Sequence, residues 1–342
     1  MIRTRHLLFA VLLAASGASH AAEGTYRIAD RIALGAPDRW DFLYFDASSN
    51  RVYVSHSTEV TVVDVGKKQV VGRIAGLDTS HGIVTVPELG RGYADSGNTK
   101  TVVVFDLKTL KTITTLPVGE DSDAMTYDPK SRRVFVMDAD GAAFTAIDAA
   151  NDKALSTVPL GGKPESAVSD GAGRIYINIA STGEMAVVDA GRLAIAARWP
   201  LAGCESPHGL AIDTTAHRLF VSCENQIMQV VSGDTGKLVA SLPIGKGTDA
   251  AAFDSVRKLA FSANGDGTVS VIAEKGPDKY VALPPVPTIP GARTMTVDPA
   301  TGRLFIVAGD VSGTAAPSRP GRAGRVTFVP GSLKLLVLEP AG

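Results

Sequence analysis

The stretch DAMTYDPKSRRVFV, residues 123–136, decides the fold because it recurs. A charged residue opens an apolar run, an aspartate five positions on begins a polar turn, and a basic residue leads into a second apolar run. The same frame is written in DFLYFDASSNRVYV from Asp41, ESAVSDGAGRIYI from Glu165, HGLAIDTTAHRLFV from His208, DAAAFDSVRKLAF from Asp249 and RTMTVDPATGRLFIV from Arg293. HGIVTVPELGRGYA from His81 fits without its turn aspartate. Successive opening residues stand 40, 42, 42, 43, 41 and 44 positions apart, which makes seven units of one supersecondary motif.

Each unit continues with a third apolar run, such as TVVVFDL (101–107) or MAVVDAG (185–191), and a fourth, such as KTITTLPVG (111–119). Short runs rich in Val and Thr, broken by Asp, Pro and Gly, read as four antiparallel strands. Seven such units on one chain predict an all-β fold, a seven-bladed β-propeller of four-stranded blades. The last unit stops at LKLLVLEP (333–340), its third strand. TYRIADRIALG (25–35) precedes the first unit and has an outer-strand pattern, so it is expected to complete the last blade and protect edges that would otherwise be exposed. The propeller then spans residues 25–340 as a single domain.

The recurrent R-x-[YF]-[VI] strand, written Arg51-Val52-Tyr53-Val54 and Arg133-Val134-Phe135-Val136, and the outer-strand endings LPVG (116–119), VPLG (158–161) and LPIG (242–245) carry a family resemblance. On these motifs the chain resembles the YncE-like, or YVTN-repeat, β-propellers of bacterial envelopes over about residues 25–340, although no unit reads YVTN itself. The resemblance implies the fold and export. It implies no reaction, because members of the group are mostly exported proteins without an assigned one.

Residues 1–21 carry the marks of a secretory signal: Arg3 and Arg5, the apolar run Leu7–Ala15, and the small residues of Ser19-His20-Ala21 at a cleavage point. Nine apolar residues are too few to span a bilayer, which needs roughly 20. A periplasmic or secreted protein with no transmembrane segment, and monomeric, is therefore expected. Removing Arg3 and Arg5 from 34 basic residues leaves 32 against 35 acidic ones, a net charge of −3 that argues against nucleic acid as the main partner.

In an oxidising compartment the two cysteines, Cys204 and Cys223, are expected to form a disulfide rather than a free or metal-binding pair. Cys204 lies in the crossover into the fifth blade and Cys223 in the hairpin of that blade. The alternation of strands returns both to the face where innermost strands begin, here the top face.

The seven opening residues, Asp41, His81, Asp123, Glu165, His208, Asp249 and Arg293, are all charged or imidazole side chains at the mouth of the central channel. They read as two acid–histidine–acid groups with Arg293 between them. Imidazole flanked by carboxylates suits a divalent cation, with His81, His208, Asp123, Glu165 and Asp249 as ligands, or a histidine held basic. The alternative is a polar lining that any water-filled mouth needs. His81 and His208 lie three blades apart, too far for one small cation unless the channel is narrow.

Other motifs are weaker. Asp138-Ala-Asp140-Gly141 begins like a calcium loop but has Ala149 where a ligating glutamate is needed, so a hairpin turn is expected. Gly245-Lys-Gly247-Thr-Asp-Ala250 follows an outer strand and enters another strand, with no helix to hold a pyrophosphate. Asp64, Asp106, Asp148 and Asp189 should form side-chain-to-backbone turns. His56 lies on a top hairpin near the ring and His217 in a bottom turn. No C-x-x-C-H, H-E-x-x-H or G-x-S-x-G occurs, and two tryptophans are too few for the repeated docking motif of quinone-cofactor propellers.

These features leave an envelope protein that binds a partner or small ligand on its top face, a metal-assisted lyase or hydrolase at the channel mouth, or a scaffold. The segment VSGTAAPSRPGRAGR (311–325) interrupts the last blade between its second and third strands. Its composition predicts a mobile top-face loop whose Arg319, Arg322 and Arg325 are drawn to the acidic mouth, as a lid or partner contact or as a surface insertion without a task.

Overall fold

The computed structural model describes residues 25–317 and 323–341, so the signal segment 1–21 and Arg319 and Arg322 lie outside the described residues. Seven antiparallel blades form a ring. Blade 3 is typical, with strands Ser122–Asp128, Arg133–Asp138, Ala143–Asp148 and Lys153–Pro159 running outward from the channel. In blade 1 the second and third strands run together as Arg51–Asp64. That segment folds back near Ser57, where φ is 62°, since the His56 ring lies only 2.9 Å from the Thr61 hydroxyl. The first strand, Tyr26–Ala33, pairs with Lys334–Pro340 as the outer strand of blade 7, closing the ring as the sequence predicts.

Alternation of side chains along each strand explains why the middle strands read as continuous apolar runs: both faces of a blade are covered. In blade 3, Val134 and Val136 face the core shared with blade 2, while Phe135 and Met137 face the core shared with blade 4. Each of the seven blade interfaces has its own apolar cluster of this kind.

The turn aspartates act through their carboxylates. Asp128 accepts the Ser131 N–H at 2.8 Å and Asp213 the Thr215 N–H at 2.9 Å. Asp64, Asp106, Asp148 and Asp189 do the same after third strands, at 2.7–2.9 Å. The Asp138–Gly141 segment is a hairpin turn, with the Ala142 N–H bonded to the Ala139 carbonyl.

The insertion in blade 7 departs from the expected loop. Val311–Thr314 and Val326–Phe328 pair as a two-stranded ribbon, anchored where Phe328 packs on Trp40 with ring centroids 5.2 Å apart. Its Ala323 sits so close to Gly247 that a Cβ added there would come within 2.8 Å of the Ala323 methyl. The arms of the insertion are thus ordered against the top of blades 1 and 6, because Phe328 supplies the apolar anchor that the Gly- and Ala-rich stretch itself lacks.

Candidate functional site at the channel mouth

Every ring residue stands where its innermost strand begins, and in four blades the pairing shows why its side chain turns inward. Pro207 pairs with Cys223 and Leu210 with Val221, so two residues, His208 and Gly209, stand opposite one. The same bulge falls at Glu165-Ser166, at Asp249-Ala250 and in the Asp123-Ala124 pair. A bulge re-aims a side chain and strengthens local twist. The price of this geometry is crowding at the second bulged position. A Cβ on Gly82 would lie 2.1 Å from the Asp123 carbonyl oxygen, and one on Gly209 2.5 Å from the Ala251 nitrogen. Small residues therefore follow most ring residues, and neighbouring inner strands join directly, as where the Phe42 N–H donates to the His81 carbonyl at 3.2 Å.

Blade 1 has Phe42 at that second position. Its ring packs against both the core between blades 6 and 7 and the core between blades 3 and 4. A blade 1 side chain reaches the latter only through the channel, so Phe42 fills the channel beneath the ring. The mouth is a cup floored by an aromatic side chain.

Within the cup the seven side chains form the two groups that their order suggests. In the first, His81 Nδ1 lies 2.7 Å from Asp41 Oδ2 and 3.9 Å from Asp123 Oδ1. Beneath it the fully buried Asp95 accepts the His81 and Gly82 N–H groups through Oδ1 at 2.7 and 2.9 Å, while its Oδ2 has no hydrogen-bond partner. In the second, His208 Nδ1 lies 2.9 Å from Glu165 Oε1, and His208 Nε2 is 3.5 Å from Glu224 Oε1. The Glu165 contact is an ion-pair approach out of hydrogen-bond alignment, since Nδ1 makes no aligned bond. Arg293 Nε forms an ion pair with Asp249 Oδ2 at 2.8 Å. In each group one histidine and two carboxylates offer ligand atoms within 4.8 Å of one another.

The electrostatics follow from burying like charges together. Burial alone would lower the His81 pKa, but the hydrogen bond and charge of Asp41, with Asp123 and Asp95 behind, lift it to about 9. His208 is raised as well: burial lowers it, but the close carboxylate of Glu165 outweighs that. Burial pushes the Asp123 carboxyl well above the usual carboxylate range, and Asp41 adds to the effect. Burial likewise raises Asp249 to about 6 despite the opposing Arg293.

Glu224, Asp95 and Phe42 belong to this site although the repeat pattern does not single them out. Glu224 had a signal: it follows Cys223 on the same hairpin. Cys204 and Cys223 are disulfide-bonded, with Cα atoms 5.3 Å apart, and the Glu224 N–H donates to the Glu205 carbonyl at 2.8 Å. The bond thus fixes the hairpin that carries Glu224 against His208, which is how the cysteines serve the histidine without touching a ligand themselves. His56 does not join the ring. It is buried, bonded to the Thr61 hydroxyl and the Pro37 carbonyl, with its pKa lowered by burial. His217, at the bottom, is hydrogen-bonded to Asp234 at 3.0 Å.

A cleft of about 30 Å³, lined by Arg39, Trp40, Asp41, Ser57, Thr79, Ser80 and His81, opens beside the first group. A larger groove of about 330 Å³ lies on the opposite face between blades 1 and 2. Several of its polar groups are already engaged: Asp46 holds the Ser48 and Ser49 hydroxyls, and Arg51 donates to the Leu107 carbonyl at 3.0 Å. That groove therefore offers little chemistry despite its size.

No family model matches the sequence, and no curated protein matches it. Solved structures do match. The WD40 repeats of RRP9 superpose with a TM-score of 0.76 at 10% identity, over 92% of this chain and 100% of that one. A chain of the mitotic checkpoint complex gives 0.74 at 12% identity over 100% of both chains. Hydrazine synthase of Kuenenia stuttgartiensis gives 0.70 at 14% identity, over 78% of this chain and 91% of that one. At such identities the likeness establishes the seven-bladed propeller and nothing about chemistry. No helix among the described residues is long and apolar enough to cross a membrane.

Proposed function

We propose that this protein is an exported propeller of the YncE-like, YVTN-repeat kind that binds a partner protein or small ligand with its top face, centred on the channel mouth. The observation that carries the reading is the cup itself. Asp41, Glu165, Asp249 and Glu224 face two imidazoles and one guanidinium, while burial raises Asp123 and Asp95 towards their neutral acids, so the mouth keeps an acidic excess that favours a ligand presenting a positive charge. Phe42 makes the mouth a blind end suited to holding a group rather than passing one. Export is supported by the disulfide and by the signal-like start of the sequence. Propellers commonly act as interaction scaffolds, which accords with a binding role.

The test compares immobilised wild-type protein with the variant Asp41→Asn/Glu165→Gln/Asp249→Asn in capturing proteins and small molecules from an envelope extract. The wild type should retain a species that the variant loses, with retention weakening as salt rises. Equal retention by both would overturn the reading. A metal-assisted lyase or hydrolase is the second reading, favoured by the two histidine–carboxylate groups, each with ligand atoms within 4.8 Å. Turnover that is lost on chelation would distinguish it from binding alone.

A further inference from the structure

The two acid–histidine–acid groups share a pattern but not a charge balance. In the second, Asp249 is engaged by Arg293 at 2.8 Å, and His208 lies between Glu165 and Glu224 at 2.9 and 3.5 Å. Three carboxylates there meet two basic side chains, so the group is close to neutral within itself. In the first, Asp41 and Asp123 share a single histidine, and Asp95 adds a third carboxylate beneath it. No arginine or lysine is paired with these three among the described ion pairs.

Three further observations bear on the first group, although the second also has a buried polar atom without an aligned hydrogen bond, His208 Nδ1. Asp95 is fully buried, yet its Oδ2 lacks any hydrogen-bond partner, a costly state for a buried polar atom. The cleft beside the group, lined by Asp41 and His81, has a volume of about 30 Å³, the space of a single water molecule. The donor spacing also fits a small metal ion. Bonds of about 2.0–2.2 Å to nitrogen and oxygen in tetrahedral array set donors roughly 3.3–3.6 Å apart. The His81–Asp41 and His81–Asp123 separations of 2.7 and 3.9 Å bracket that range.

We infer that Asp41, His81 and Asp123 form a binding site for one divalent zinc-class cation, with the fourth position open to water or ligand in the adjacent cleft, and that the Glu165–His208–Asp249 group is an internally paired network that binds none. One imidazole nitrogen with two carboxylate oxygens favours zinc over magnesium or calcium, which prefer all-oxygen sets. The cation would sit at the wall of the cup and offer a fixed positive point there, so Asp41 and Asp123 would serve it rather than a cationic ligand. The rest of the ring would keep its acidic character. The inference stands independently of the partner proposed above, because its test needs only protein and metal.

The test is calorimetric titration of tag-free, chelator-treated protein with zinc chloride, together with elemental analysis after dialysis. Wild type should bind one equivalent. His81→Ala and Asp123→Asn should each weaken binding at least tenfold, whereas His208→Ala and Asp249→Asn should keep one equivalent within threefold of wild-type affinity. Asp123→Asn nearly preserves side-chain volume, so it remains informative if His81→Ala fails to fold, as judged by circular dichroism. Absence of saturable binding would overturn the inference, as would two equivalents, or one equivalent that survives Asp123→Asn. If zinc binding fails while the ring variant still loses its captured species, only the metal site is refuted. The converse result refutes the binding role alone.

Discussion

Replacing Asp138 by asparagine should make the protein more stable at neutral and alkaline pH, and the expected size follows from where the carboxyl sits. Asp138 ends the second strand of blade 3 with no exposed surface. Its Oδ1 accepts the Gly119 N–H at 3.0 Å and its Oδ2 the Thr145 hydroxyl at 2.7 Å. Burial outweighs both bonds and raises its pKa to about 6. In an unfolded chain an aspartate titrates near 3.9, so the difference of about two units corresponds to roughly 3 kcal/mol. For an acid raised on folding, the native state holds the proton more tightly. Stability from this group is therefore complete below about pH 4 and is lost as pH rises towards about 6, so at pH 8 the fold bears the whole cost.

Blade 6 shows that asparagine fits. Asn264 holds the corresponding strand position and donates to the Thr268 and Ser270 hydroxyls at 3.0 Å each. In the variant the new amide can donate to Thr145, whose own hydrogen turns to Thr157, 2.9 Å away. Urea unfolding at a series of pH values measures the effect. Between pH 4 and pH 8 the variant should gain about 2.5 kcal/mol on wild type, with most of the change below about pH 6.5. A variant-minus-wild-type difference that stays flat from pH 4 to pH 8 would refute the reasoning.

Three further outcomes are expected. Cys204→Ser/Cys223→Ser opens a loop of 20 residues and should cost about 3 kcal/mol on the chain-entropy account, read by urea unfolding; peptide mapping without reduction should find the pair linked in exported wild type. Phe42→Ala removes a half-buried ring from the channel and should cost about 2 kcal/mol, less than a fully buried phenylalanine. Shortening residues 312–323 to a tight turn should leave the fold intact, since the insertion packs only on the rim and Phe328 stays against Trp40, while changing capture at the top face.

The seven blades were legible because one frame is repeated and because sheets covered on both faces must be written as apolar runs, as in Val134–Met137. Closure by Tyr26–Ala33 was legible for a similar reason, a strand pattern left over at one end and missing at the other. The ring could be read from its register, and the grouping of Asp41, His81 and Asp123 from its order. The asymmetry between the two groups could not. It depends on Glu224, carried to His208 by a disulfide-clamped hairpin, and on Asp95, which reaches the first group from a different strand. Phe42 was hidden too, because an aromatic residue in an innermost strand reads as core until the bulge turns it into the channel. The insertion was read from composition as mobile, whereas its arms are seated by Phe328 against Trp40 and by Ala323 against Gly247.

The claim that the channel mouth is the working surface is tested most directly by placing a photo-crosslinking residue at Arg39, beside the cup, or at Lys108, on the opposite face, in cells that export the protein. The account predicts a discrete adduct from position 39 that disappears when Asp41, Glu165 and Asp249 are neutralised, and none from position 108. Adducts from position 108 alone, or from position 39 regardless of the ring charges, would contradict it.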